Sequence, residues 1–260
     1  MRKISRFFIA CAALGFLAAC DAPLAPQART SASVPQSTVV QTATQFWQWP
    51  PPVTDPNEKV PVLGDKELFN ANWMVVLDNS GSMDTRSCSG NEIRMVAGGK
   101  AVHAFSQKRP DDNFGLVVFT TRDPYAKVAV PLGKKTQEKI GEVVRTIRAD
   151  TNTPLRPAIK IAFDELGRQS KAQRGFGQYH IVVITDGEFN EGGDPAPLVK
   201  NIVTTTPVQV HTVGFCTGTS HRLNIPGYVT YVSIENASEL NRALSAVAEA
   251  EVEDYTAIKP

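Results

Sequence analysis

The stretch Trp73–Met83, WMVVLDNSGSM, changes from apolar to polar within one step. Trp73–Leu77 has the length and β-branched content of a buried strand. Asp78, Ser80 and Ser82 then follow at alternate positions, with Gly81 between the hydroxyls. Alternate residues on an extended turn face the same point, and Gly81 permits close backbone approach or a positive φ. A carboxylate and two hydroxyls at the C-terminal edge of a strand suit a hard divalent cation such as Mg²⁺. The same residue types also suit a plain helix N-cap. The two readings stay even until the rest of the chain is weighed.

Length and charge narrow the classes. A chain of 260 residues fits one ordinary domain with appendages. The net charge is +1, and without Arg2, Lys3 and Arg6 the count is 24 basic against 26 acidic residues. Bulk charge therefore favours neither nucleic acid nor an anionic membrane surface as a partner.

The N-terminus reads as a leader. Arg2, Lys3 and Arg6 precede the apolar run Phe7–Ala19, which is shorter than the ~20 residues a membrane-spanning helix needs. Leu17-Ala18-Ala19-Cys20 resembles a bacterial lipobox. The resemblance implies cleavage before Cys20 and lipid on its thiol, so residues 1–19 are a signal peptide. An ordinary secretory signal cut nearby and a buried hydrophobic N-terminus are the alternatives. Residues 20–66, rich in Pro, Ala, Gln, Ser and Thr, read as a tether. Within it Phe46-Trp47-Gln48-Trp49-Pro50-Pro51-Pro52 suits packing on the domain's own surface or at headgroups, or docking on a partner.

From Lys66 onward strands and helices alternate. Strands are expected at Trp73–Leu77, Phe114–Thr120, Ala126–Leu132, Tyr179–Thr185, Val208–Phe215 and Tyr228–Ile234. Helices are expected at Glu92–Gln107, Gln137–Arg148, Pro154–Leu166, Ala196–Thr205 and Ser238–Glu251. In the first of these, Ile93, Val96, Ala97, Ala101, Ala104 and Phe105 fall on one face. Gly167–Gly177 reads as a basic surface loop. The pattern predicts an α/β fold: a doubly wound, mostly parallel sheet flanked by helices, with Ala126–Leu132 as an antiparallel edge strand. Ligands of such sheets bind beyond the carboxyl ends of the strands. Asp78 and Asp186 both fall there.

Three segments together resemble the von Willebrand factor type A (VWA) domain, over residues 67–251, with 252–260 as a tail. Asp78-Asn79-Ser80-Gly81-Ser82 matches the first loop of that family's metal-ion-dependent adhesion site (MIDAS). Thr153, before Pro154-Leu155, matches the threonine of the second loop, and Asp186, in Thr185-Asp186-Gly187, the aspartate of the third. Thr151-Asn152 departs from the two glycines usual in the second loop and makes Thr151 a rival for Thr153. The resemblance implies a Rossmann-like VWA fold. It also implies a site for Mg²⁺, or another divalent cation such as Mn²⁺ or Ca²⁺, built from Asp78, Ser80, Ser82, Thr153 and Asp186. The partner it implies is a protein presenting an Asp or Glu carboxylate that completes the coordination sphere.

Other residues are weighed beside these. Cys88 and Cys216 should both lie near the upper rim; in an oxidising compartment they would pair, with free thiols as the alternative. His103, His180 and His211 fit core or sheet-face roles, and His221 a solvated loop or a ligand contact. Asp84 and Glu188 are rim polars that could tune ligand choice. Lys134-Lys135 and Arg168–Arg174 read as solvated basic surface. The expected function is a lipid-anchored, non-enzymatic protein-binding module of the bacterial cell envelope, with no nucleic-acid partner. A Mg²⁺-dependent phosphoryl hydrolase or transferase with Asp78 as nucleophile is an alternative. It lacks an Asp-x-Asp pattern and a phosphate-cradling lysine loop. A structural lipoprotein with a vestigial site is another.

Overall fold

The computed structural model describes residues 48–256, with side chains to Glu249. The leader, the lipidation residue Cys20, Phe46, Trp47 and most of the tether lie outside the described residues. So does the end of the tail.

The elements run α1 (Asp65–Leu68), β1 (Ala71–Leu77), α2 (Arg94–Gln107), β2 (Asn113–Phe119), β3 (Ala126–Gly133), α3 (Gln137–Thr146) and α4 (Leu155–Ala172). They continue with β4 (Gln178–Thr185), α5 (Ala196–Thr205), β5 (Val208–Phe215), β6 (Val229–Ile234) and α6 (Leu240–Thr256). The six strands form one sheet in the order β3-β2-β1-β4-β5-β6. All neighbours are parallel except β2 and β3. The α/β fold with one antiparallel edge strand is therefore as the alternation of elements predicts.

β1 and β4 are buried along nearly their whole length because helices cover both faces. Trp73, Val75 and Leu77 join a core with Phe105 of α2, Ile140 of α3 and Leu244 of α6. Met74 and Val76 point the other way, to Leu155, Ile159 and Leu166 of α4 and Ile202 of α5. This is the period-two alternation of a strand, with both faces apolar.

Two glycines of α2 set its distance from its neighbours. A Cβ on Gly98 would stand 3.2 Å from Leu77 Cδ1, and one on Gly99 would stand 2.9 Å from Val144 Cβ of α3. Gly98 thus seats the helix on the sheet and Gly99 seats α3 on the helix. The buried face differs from the sequence expectation. Met95, Ala97, Ala101, Val102 and Phe105 are buried, whereas Val96 is exposed. The helix begins at Arg94, two residues late, and the side that packs on the sheet and α3 is the one carrying Gly98 and Gly99.

Gly167–Gly177 is not a surface loop. α4 continues to Ala172, and Gly167, Ser170 and Gln173 are buried. Gly167 lies within the helix, and Pro51 packs over it, 3.2 Å from where a Cβ would be. Lys171 is paired with Glu58 at 2.7 Å rather than simply solvated. Gln173 donates to the carbonyls of Glu67 and Asn70 and accepts from Asn72, a polar network under β1. Trp49 lies against Phe163 and Tyr179, with ring centroids 5.6 and 5.0 Å away. This part of the proline strap packs on the α4 face of the domain.

Candidate metal centre

The site is built on three loops at the C-terminal ends of β1 and β4. The β1–β4 ladder extends one residue beyond the strands, since Asp78 N–H donates to the Ile184 carbonyl at 2.9 Å. This places Asp78 beneath the rim, fully buried. Its Oδ1 accepts the Ser80 N–H at 2.7 Å, an Asx-type turn closure, and its Oδ2 accepts the Thr185 hydroxyl at 2.6 Å. Burial pushes the Asp78 carboxyl up from its ordinary value to about 6, against the lowering effect of those hydrogen bonds.

Above Asp78 the hydroxyls form a chain. Ser80 Oγ and Ser82 Oγ are 3.0 Å apart, and Ser82 donates to Asp186 Oδ1 at 2.7 Å. Ser82 sits on a 3-10 turn, Gly81–Met83, whose Met83 side chain is fully buried in the α2 core. That anchor aims Ser82 at Asp186. Gly81 keeps a φ outside the left-handed region, and a Cβ there would meet nothing within 4 Å. The glycine leaves open space above the site; neither close approach nor positive φ explains it.

The second loop is stitched to the first by its backbone. Ser80 and Thr151 form a parallel bridge, and Gly81 N–H donates to the Thr151 carbonyl at 3.0 Å. The Thr151 hydroxyl lies 3.1 Å from the Asn79 carbonyl and 2.9 Å from that of Asn152, so it serves the loop's own backbone. Thr153 is held differently. Its N–H donates to Asn190 Oδ1 at 2.7 Å, and its carbonyl accepts the Asn190 N–H at 3.3 Å. Its side chain therefore plays no part in that clamp. The structure brings Asp78, Ser80, Ser82 and Asp186 into one hydrogen-bonded group, and sets Thr153 on the loop bridged to Ser80.

Several supports escaped the sequence reading. Asn79 accepts the Phe119 N–H at 2.7 Å and lies 3.3 Å from the Arg148 carbonyl, joining β2 to the second loop. His221 is buried rather than solvated. Its Nδ1 accepts the Leu223 N–H at 3.1 Å, so its Nε2 carries the proton donated to the Gly187 carbonyl at 2.9 Å. This braces the third loop. Glu188 accepts the Arg222 N–H at 2.9 Å, and Asp84 is exposed. Arg94 reaches Asp186 Oδ2 at 2.6 Å. Its position offers a signal in retrospect: a basic residue opening a helix opposes the helix dipole unless something compensates.

Cys88 and Cys216 form a disulfide at the same rim, with Cα atoms 6.1 Å apart and a sequence separation of 128 positions. Both cysteines take left-handed backbone, at φ 59° and 50°. His180 and His211 lie away from these three loops, in the α2-side layer. His180 stacks on Trp73 at 4.0 Å, and the two imidazoles approach to 3.5 Å. His103 lies at the α2–α3 contact, where a Cβ on Gly141 would stand 2.7 Å from its ring.

The donor set fits a hard divalent cation. Two hydroxyls and two carboxylates from the first and third loops meet here, and the deepest carboxylate is buried and accepts only neutral donors. A buried carboxylate of that kind is costly unless a cation completes it.

Residues 73–188 match the family model for the von Willebrand factor type A domain. No curated protein matches the chain. Among solved structures, an aerotolerance-related membrane protein from Bacteroides fragilis superposes with TM-score 0.54 at 20% identity, covering 69% of this chain and 98% of that one. Proximal thread matrix protein 1 from the mussel byssus, with a zinc-occupied MIDAS motif, gives TM-score 0.52 at 22% identity, covering 69% and 47%. The pilus adhesin SpaC from Lactobacillus rhamnosus GG gives 0.53 at 16% identity, covering 70% and 30%. These likenesses are of fold. Residues 73–188 are thus similar to a von Willebrand factor type A domain, and the six-stranded sheet that continues to Ile234 shares the fold of these structures.

Proposed function

We propose that this protein is a membrane-tethered, extracytoplasmic binding module that captures a protein partner through a divalent cation at the β1–β4 edge. The observation that carries the reading is the chain Ser80–Ser82–Asp186 lying over the buried Asp78. Ser80, Ser82 and Thr153 would hold Mg²⁺ directly, and Asp78 and Asp186 would balance its charge through the hydroxyls and bound water. When bound, the cation supplies an electrophilic position that a carboxylate can take. The protein's own part is to orient the hydroxyls and to keep the carboxylates behind them.

Asp78 is poorly placed as a nucleophile. It has no exposed surface, and its two oxygens accept the Ser80 N–H and the Thr185 hydroxyl. A group that attacks phosphorus must reach it within contact distance. Binding therefore fits this geometry better than phosphoryl transfer.

Extracytoplasmic tethering rests on the leader, the lipobox and the proline-rich segment. The fold likeness to a bacterial membrane protein is in keeping with it. Among the described residues no helix is long and apolar enough to cross a membrane. The test is retention of envelope proteins on the immobilised domain, with Mg²⁺ and with chelator, together with direct Mg²⁺ titration. Retention that is lost with chelator and in Ser80→Ala supports the proposal. Retention that survives both, with no Mg²⁺ binding, overturns it.

A further inference from the structure

Asp186 is held on both oxygens. Ser82 donates to Oδ1 at 2.7 Å and the Arg94 guanidinium to Oδ2 at 2.6 Å. The Asp186 side chain has no exposed surface and that of Arg94 only 11%, so this is not a solvated surface pair. Arg94 is itself fixed. Its Nε donates to the Ser87 carbonyl at 2.7 Å, and its backbone N–H to the Thr85 carbonyl at 2.9 Å. Ser87 adjoins Cys88, whose bond to Cys216 ties this loop to the end of β5. As the first residue of α2, Arg94 opposes the positive end of the helix dipole. Asp186 compensates for that placement.

We propose that Arg94 is a built-in counter-charge of the metal centre: it weakens the site for the bare cation and reserves the loaded site for an anionic ligand group. This rests on the cation reading of the site given above. Asp78 and Asp186 alone would balance a divalent cation to zero. With Arg94 the loaded centre carries one net positive charge. A carboxylate arriving there meets attraction rather than neutrality, and the cation arriving earlier meets a repulsion. Like charges a few ångströms apart at a half-buried site change a binding constant by at least about tenfold. Arg94 is thus a positioning and specificity residue. It acts through Asp186.

The experiment uses the full chain, titrated with Mg²⁺ by calorimetry and with Mn²⁺ by electron paramagnetic resonance, in wild type, Arg94→Lys and Arg94→Gln. Acetate is then titrated into each Mn²⁺-loaded protein as the carboxylate probe. Arg94→Gln is expected to bind both cations at least about tenfold more tightly and acetate more weakly. Arg94→Lys keeps the charge and is expected to stay close to wild type. Wild type that binds a cation, with Arg94→Gln no tighter, overturns the counter-charge alone. Wild type that binds no cation overturns the proposed function on which it stands. If Arg94→Gln does not fold, a structure of Mn²⁺-loaded wild type decides. The guanidinium still hydrogen-bonded to Asp186 supports the proposal, and a guanidinium swung away from it overturns it.

Discussion

Ser82 and Asp186, 104 positions apart in the chain, share one hydrogen bond of 2.7 Å. It closes the gap between the first and third loops. Every other part of the site is arranged around it: Asp78 below, Arg94 behind, and Thr153 on the loop bridged to Ser80.

Asp78→Asn should lose Mg²⁺ affinity by at least about tenfold while leaving the metal-free protein as stable as wild type or more so. An amide can still accept the Ser80 N–H, and its NH₂ can donate to Thr185, whose hydroxyl can turn to the Gly187 carbonyl 3.1 Å away. The charge that burial penalises is gone. Thermal unfolding in chelator and calorimetry with Mg²⁺ test both halves; a lower metal-free Tm would contradict the burial argument.

Thr153 and Thr151 should separate cleanly. Thr153→Ala is expected to weaken Mg²⁺ binding about tenfold or more with little change in Tm. Thr151→Ala removes a hydroxyl that serves the Asn79 and Asn152 carbonyls, so it should cost about 1 kcal/mol of stability and leave the binding constant close to wild type. Paired denaturant and Mg²⁺ titrations of the two variants check the assignment, and the reversed pattern would give the ligand role to Thr151.

Reduction of the Cys88–Cys216 disulfide, or its replacement by two serines, should lower stability by about 2–5 kcal/mol. The bond closes a loop spanning 128 positions and holds two residues in left-handed backbone. Denaturant unfolding with and without reductant measures the loss, and an unchanged midpoint would argue against it.

The pH dependence of the metal-free protein should contain two opposed contributions. His211 is buried beside His180, and its pKa is lowered from 6.5 to about 3 by that burial and by the neighbouring imidazole. Between those values the unfolded state binds the proton and the native state does not. The stability His211 contributes is therefore full above about 6.5 and declines towards pH 3, by roughly 1.4 kcal/mol per unit. Asp78, raised from 3.8 to about 6, has the opposite sign over 3.8–6. His211→Gln should therefore gain stability relative to wild type as pH falls from 7 to 4.5, and Asp78→Asn should lose it. Trp73, Asp112 and Arg109 adjoin the histidine pair, and half-buried Asp112 adds a smaller contribution with the sign of Asp78. Tm profiles of the three proteins in chelator, parallel across that range, would refute the assignment.

Local chemistry carried a long way in this chain. Alternating apolar runs and amphipathic stretches were enough for the sheet and its helices, because the four inner strands are covered on both faces and the helices bury one. Three polar clusters at the ends of apolar runs marked the loops. Errors came where a residue's local preference was overruled by a distant contact. Gly167 looked like a helix end, but Pro51 packs over it and α4 continues. His221 looked solvated, but the Gly187 carbonyl accepts its hydrogen bond and the residue is buried.

By itself the sequence determined the order of the elements, the placing of Asp78 and Asp186 at strand ends, and the hydroxyl-rich character of the donors, since these follow from residue type and spacing. Only the tertiary structure decided which groups face each other. Arg94 and Asp186 are 92 positions apart; a basic residue opening a helix signals that some anion compensates it, but not which one. Their meeting depends on how closely Gly98 lets α2 approach the sheet and on the disulfide that ties the intervening loop. Ion pairs and clamps of that kind are set by packing distances, which a linear pattern does not encode.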